Sequence, residues 1–119
     1  MLHYFQKVAI ELLSCQQEDV NQVRETYHRR RDLLIDGLNN IGWSMYKSQG
    51  SMFVWAPIPS KYTSSLEFTL DLIEKAGVIV VPGISFGSQG EGFVRIALVQ
   101  QEDKILKAIE NIKNSGILL

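Results

Sequence analysis

Arg95 is the residue whose type and setting most directly suggest chemistry. It is the only charged side chain in Phe93-Val94-Arg95-Ile96-Ala97-Leu98-Val99. A guanidinium among apolar groups is costly unless a carboxylate receives it. Its planar fork gives two parallel hydrogen bonds to a carboxylate, which lysine cannot reproduce. A structural role would be an internal pair with Glu91, or an edge-strand charge that discourages aggregation. A functional role would be recognition of a substrate carboxylate. On composition alone the structural role carries more weight.

Other chemistries lack their residues. His3, His28 and Cys15 are scattered, with no pair at metal-ligand spacing. No Gly-x-Ser-x-Gly elbow and no Gly-x-x-x-x-Gly-Lys-Ser/Thr loop occurs. Gly87, Gly90 and Gly92 precede an apolar run instead of opening a helix, so a phosphate-cradling turn is not expected there. Their simpler role is to let a loop adopt positive φ and turn into a strand. The basic cluster His28-Arg29-Arg30-Arg31 lies on a helix, where consecutive side chains point in different directions. Glu25 and Arg29, four apart, read as a solvated ion pair.

Composition narrows the class further. The 119 residues carry 12 Lys+Arg and 13 Asp+Glu, a formal net charge of -1, which argues against a dedicated nucleic-acid binder. A hydrophobic content of 45% is too high for disorder, and a chain of this length is expected to form one domain, residues 1–119. The single cysteine offers no internal disulfide. Residues 1–7 lack a cationic start followed by an apolar core, and no stretch approaches the ~20 apolar residues of a membrane span. The expectation is a soluble, cytoplasmic protein with no membrane partner.

Positioning Arg95 takes a framework of helices and strands. Leu2, Phe5, Val8, Ala9, Leu12 and Leu13 recur at helical spacing over residues 2–13, and a longer helix follows from Glu18 to Asn40. Trp43–Tyr46 and Ser51–Ala56 read as two strands joined around Ser48-Gln49-Gly50, with Pro57 and Pro59 ending the second. Ser64-Ser65-Leu66-Glu67 is a capping box opening a helix to Ala76, closed by Gly77. Val78–Val81 reads as a strand, Pro82–Gly92 as a loop, and Phe93–Val99 as a strand. A last helix spans Glu102 to Lys113 and ends near Gly116. This order predicts an α+β (α/β layered) fold: a small, mostly antiparallel sheet with helices packed on one face. The last strand is apolar on both faces, Val94, Ile96 and Leu98 on one and Phe93, Ala97 and Val99 around Arg95 on the other. Either one of this chain's own helices covers the second face, or another domain does.

Gly77-Val78-Ile79-Val80-Val81-Pro82-Gly83-Ile84-Ser85-Phe86-Gly87, followed by Gly90-Glu91-Gly92-Phe93-Val94-Arg95-Ile96-Ala97-Leu98, resembles the C-terminal signature of class I/II aminotransferases. These are pyridoxal-phosphate enzymes of the aspartate aminotransferase fold. Tyr27-His28-Arg29-Arg30-Arg31-Asp32, Gly42-Trp43 and Gly50-Ser51-Met52-Phe53-Val54-Trp55-Ala56-Pro57-Ile58-Pro59 are similar to the branch containing LL-diaminopimelate aminotransferase. Phe5-Gln6-Lys7-Val8-Ala9-Ile10 is similar to the helix leading out of that family's large domain, which would make residues 1–17 that connection. The likeness runs over essentially the whole chain.

The resemblance implies the small, C-terminal domain of such an enzyme, transferring an amino group between an amino acid and a 2-oxo acid. Arg95 would bind the substrate α-carboxylate. Pro82, Gly83 and Phe86 would belong to a loop bordering the substrate entrance. The Gly50–Trp55 strand carries over only as sheet structure, and Ser48-Gln49 lacks the proline often found before that glycine. The cofactor lysine belongs to a Ser-Lys-x-x-x-Met-x-Gly-Trp-Arg-like stretch that has no counterpart among lysines 7, 47, 61, 75, 104, 107 and 113, and Gly42-Trp43-Ser44 is not its phosphate-binding end. Pyridoxal 5'-phosphate is therefore expected to be held by a large domain missing here, in an enzyme that is a homodimer. The 119 residues alone are expected to be inactive, with no catalytic and no cofactor-binding residue. The competing reading is a non-catalytic α+β module that binds a small molecule through Arg95 or another protein through its apolar sheet face.

Overall fold

A computed structural model describes residues 2–119. The order is α1 (Leu2–Ser14), α2 (Glu18–Asn40), β1 (Phe53–Pro57), α3 (Ser65–Asp71), β2 (Val81–Pro82), β3 (Phe93–Ala97) and α4 (Glu102–Ser115). A π-helical turn, Leu72–Ala76, extends α3, and two 3-10 turns, Gly83–Phe86 and Ser88–Gly90, lie between β2 and β3. The sheet is antiparallel throughout, with β3 between β1 and β2. This agrees with the expected α+β class.

The register divides the sheet into two faces. Val54 pairs with Ile96, and Ala56 and Pro82 both pair with Val94. Val54, Ala56 and Val94 are fully buried, against a core built from Ile35 and Leu38 of α2, Phe68 of α3, Leu72, and Ile105 and Ile112 of α4. The opposite face pairs Phe53 with Ala97, Pro57 with Phe93, and Arg95 with Trp55 on one side and Val81 on the other. Trp55 on that face remains 42% exposed. No helix among the described residues covers it, so the reading in which an own helix does so is set aside.

Helix ends follow local chemistry. Ser64 Oγ accepts from the Glu67 amide at 3.3 Å, as the capping pattern predicts. The expected return bond from the Ser64 amide to Glu67 is not formed; the next amide, that of Ser65, donates instead to Glu91 Oε1 at 2.6 Å, which also accepts from the Gly92 amide at 3.0 Å. Gly77 and Gly116 adopt left-handed φ of 65° and 69° and end their helices. Glu25 and Arg29 do not pair; Arg29 Nε donates to Glu102 Oε1 at 3.3 Å and ties α2 to α4.

Two expected strands differ. Trp43–Tyr46 alternates buried and exposed as a strand would, with Trp43 and Met45 inside, but it joins no ladder. The Asn39 side chain serves it instead: the Met45 amide donates to Asn39 Oδ1 at 2.8 Å, and Asn39 Nδ2 donates to the Met45 carbonyl at 3.3 Å. Trp43 Nε1 donates to the Pro57 carbonyl at 2.7 Å. Of Val78–Val81 only Val81 reaches β3, and the ladder continues into Pro82; the Val78 amide is taken by the Leu72 carbonyl at 3.2 Å.

α1 stands apart. None of its residues is buried, and Leu2, Val8 and Leu13 are 72%, 57% and 79% exposed. The radius of gyration is 17.3 Å, against about 13–14 Å for a compact chain of this length, and the long axis extends 52 Å.

Candidate functional site

β3 is the central strand, so its outward side chains are flanked from both sides. Arg95 is held there by aromatic rings. Its guanidinium carbon lies 4.2 Å from the centre of the Phe53 ring and 4.6 Å from that of Phe86. Phe53 comes from β1, two positions from the Trp55 that pairs directly with Arg95. Phe86 ends the 3-10 turn that leaves β2 on the other flank. Trp55 meets Phe86 edge to face at 5.9 Å and stacks on Phe93 at 5.5 Å. Apolar walls make a cation's own water shell incomplete, and the ring faces return part of that loss as cation–π attraction.

Among the described residues no carboxylate pairs with Arg95, and none of the side-chain hydrogen bonds involves it. The pair with Glu91 does not form. The Ser65 and Gly92 amides engage Glu91, and these two bonds, in that order, hold its carboxyl below the usual range. Arg95 is half-buried on the open face, with its hydrogen-bond donors free of protein acceptors.

The loop after β2 is shaped by close backbone contact. A Cβ on Gly83 would stand 1.9 Å from the Gly90 carbonyl oxygen, and one on Gly90 2.1 Å from that of Gly83. Gly87, at φ 113°, reverses the chain between the two 3-10 turns. Gly87 and Gly92 thus have the positive φ expected from sequence, whereas Gly90 is small because the chain passes Gly83. Of the sequence-derived loop residues, Phe86 reaches Arg95. Pro82 pairs with Val94 on the core side, and Gly83 is buried against Gly90.

Sequence reasoning treated the Phe53–Trp55 strand as scaffold and missed its aromatic side chains at the site. The signal was present: aromatics at alternate positions 53 and 55 share a face. What was not legible was that this face is the one bearing Arg95.

The lysines do not suit a carbonyl-binding role, which requires a neutral amine. Lys47 bonds to Asp36 at 3.1 Å and lies 3.4 Å from Asp32, and the Asp36 bond raises its pKa. Lys75 bonds to Asp71 at 2.7 Å with the same effect. Lys61 donates to the Leu119 carbonyl. Lys104, Lys107 and Lys113 lie on α4, on the helical side of the sheet, and Lys7 on α1. These residues do not fit a site for pyridoxal phosphate. Among the described residues no cluster of His, Cys, Asp and Glu could hold a metal, and no helix is long and apolar enough to cross a membrane. A cavity of about 370 Å³ lies between α2, α4 and residues 78–80; its lining includes Leu38, Trp43, Val80 and Ile105, and Arg95 takes no part in it.

Known proteins share this fold. The family model "Aminotransferase class I and II" matches residues 3–112. The chain is 39% identical over 112 residues to an LL-diaminopimelate aminotransferase of Halothermothrix orenii, covering 94% of this chain and 28% of that protein. It is 44% identical over 110 residues to the glutamate-pyruvate aminotransferase AlaC of Escherichia coli, covering 91% of this chain and 27% of that protein. Among solved structures, substrate-bound BacF of Bacillus subtilis superposes with a TM-score of 0.83 at 32% identity, over 88% of this chain and 27% of that one. An aromatic aminotransferase of Pyrococcus horikoshii gives 0.77 at 33%, over 82% and 26%. The chain thus spans little more than a quarter of the relatives it matches. The match across residues 3–112, and the fold shared at these identities, place the chain in the aminotransferase class I and II family.

Proposed function

We propose that this segment is the substrate-closing domain of a pyridoxal-phosphate aminotransferase that moves an amino group between an amino acid and a 2-oxo acid. The observation that carries the reading is the Arg95 guanidinium, set between two rings on an open sheet face and paired with no carboxylate among the described residues. An arginine so placed offers two in-plane donors to a substrate α-carboxylate. Holding that carboxylate orients the rest of the amino acid relative to groups on the facing domain, and such orientation can account for several kcal/mol of a barrier, up to about 7–11. Closure also removes water around the guanidinium and strengthens its attraction for the carboxylate.

Aminotransferases of this family are generally pyridoxal-phosphate dependent. The cofactor supplies the electron sink for the reaction when bound, and the residues that bind it belong, in this reading, to a large domain outside the 119 residues. α1, exposed along an apolar face, is the helix that leads from that domain, with residues 1–17 as the connection. The segment alone is inactive, and the complete enzyme is a cytoplasmic homodimer. Pro82, Gly83 and Phe86 form the border of the substrate entrance, Phe86 by direct contact with Arg95.

The test is a chimera in which this segment replaces the matching part of AlaC. The chimera is expected to bind pyridoxal phosphate and to transaminate. Arg95→Lys within it should lower kcat/KM for the amino acid by at least tenfold, about 1.4 kcal/mol. A smaller loss in steady-state kinetics, in a chimera that is otherwise active, removes Arg95 from the carboxylate-binding role.

A further inference from the structure

We infer that Phe53 and Phe86 are positioning residues for Arg95, and that they turn it into a slot admitting a planar carboxylate edge-on while disfavouring tetrahedral anions. The inference rests on the reading of Arg95 as the carboxylate-binding group and adds what holds that group and what it selects.

The two rings reach Arg95 from opposite flanks of its strand, Phe53 from β1 and Phe86 from the turn after β2, at 4.2 and 4.6 Å from the guanidinium carbon. Phe86, though 51% exposed, has aromatic neighbours of its own. Phe86 abuts Trp55, and Trp55 is stacked at 16° on Phe93, so the aromatic side chains order one another before any ligand arrives. Ordering a long arginine side chain on binding costs affinity, and a guanidinium already held between two rings has met part of that cost on folding. The donors of a guanidinium lie in its plane. With ring centroids 4.2 and 4.6 Å from the guanidinium carbon on its two flanks, the inferred slot leaves approach to the edge, where a carboxylate makes two parallel bonds. A phosphonate or sulfonate brings a third oxygen out of that plane, toward a ring face whose quadrupole is negative and repels it. The site therefore suits α-amino carboxylates over their phosphonate analogues.

The experiment uses the AlaC chimera as holoenzyme, with alanine as substrate and 1-aminoethylphosphonate as competitor. Phe53→Leu and Phe86→Leu should each raise KM for alanine roughly threefold to tenfold, with the loss falling on KM more than on kcat. Both should narrow the preference for alanine over the phosphonate. Phe53→Tyr and Phe86→Tyr, which keep the ring, should restore both quantities. In the 119-residue chain, the Arg95 Nε–H proton should be displaced by ring currents from the position of a free arginine, a readout that does not depend on any variant folding. Leucine variants with unchanged KM and unchanged selectivity, beside an Arg95→Lys that costs tenfold or more, overturn the slot and leave the carboxylate role standing. Tyrosine variants as impaired as the leucine ones, or an Nε–H signal at the free-arginine position, also overturn it. An Arg95→Lys that costs less than tenfold removes the carboxylate role itself.

Discussion

Glu91 Oε1 accepts a hydrogen bond from the Ser65 amide at 2.6 Å, so the carboxylate nearest Arg95 in sequence is engaged at the start of α3 and not by the guanidinium. The same oxygen accepts from the Gly92 amide, joining the end of the loop to the first turn of the helix. One side chain thereby braces the loop and leaves Arg95 open to a ligand.

That bond predicts a pH dependence. The Ser65 and Gly92 amides hold the Glu91 pKa below its usual 4.5 in the folded chain. A depressed folded pKa means stability that is fully present above the unfolded value and lost as pH falls through the folded one. Urea denaturation should find Glu91→Gln less stable than the parent at pH 6.5, with the gap shrinking toward pH 3. A gap that is constant across that range contradicts the assignment.

The Gly83–Gly90 contact predicts a graded series. Gly83→Ala places a methyl 1.9 Å from the Gly90 carbonyl oxygen and should destabilise by at least about 2 kcal/mol. Gly87→Ala meets no atom but keeps φ 113°, and should cost about 1–3 kcal/mol of backbone strain. Gly50→Ala has open space and no positive φ, and should stay within about 0.5 kcal/mol of the parent. Chemical denaturation of the three variants orders them.

Asn39→Ala removes two hydrogen bonds to Met45, and should cost about 1–3 kcal/mol. Because those bonds seat the segment after α2, Trp43 should become more solvent-accessible, visible as a red shift of its fluorescence. Unchanged emission would mean that Trp43 is seated by its own bond to Pro57.

Tyr62 donates to Asp71 Oδ2 at 2.6 Å, and burial, followed by that bond, pushes its pKa up to about 12. A raised folded pKa gives stability present below the unfolded value, near 10, and lost as pH rises toward 12. Absorbance at phenolate wavelengths should therefore show one tyrosine titrating well above 10, and Tyr62→Phe should abolish that late step.

The sequence by itself determined the parts that depend on near neighbours. The α4 stripe of Ile105, Ile109 and Ile112, the later part of the α2 stripe at Leu34 and Leu38, the Ser64 cap and the Gly77 and Gly116 stops act within a turn or two of chain and appear where spacing puts them, whereas Val20 and Val23 early in α2 stay exposed. The alternation of β3, with a lone arginine on one face, is also local. Tertiary structure decided which partners those local patterns met. Trp43–Tyr46 has strand periodicity, yet a strand needs a ladder, and the Asn39 side chain, not a neighbouring strand, pairs with the Met45 amide and carbonyl. Val78–Val80 is as apolar as a strand, but only Val81 and Pro82 come alongside β3. Phe53 and Phe86 sit 42 and 9 residues from Arg95 (95 − 53 and 95 − 86), and β1-β3-β2 ordering alone brings both rings to its guanidinium. A side chain's type is written in the chain, whereas the company it keeps across a sheet follows from which strands pair and in what register.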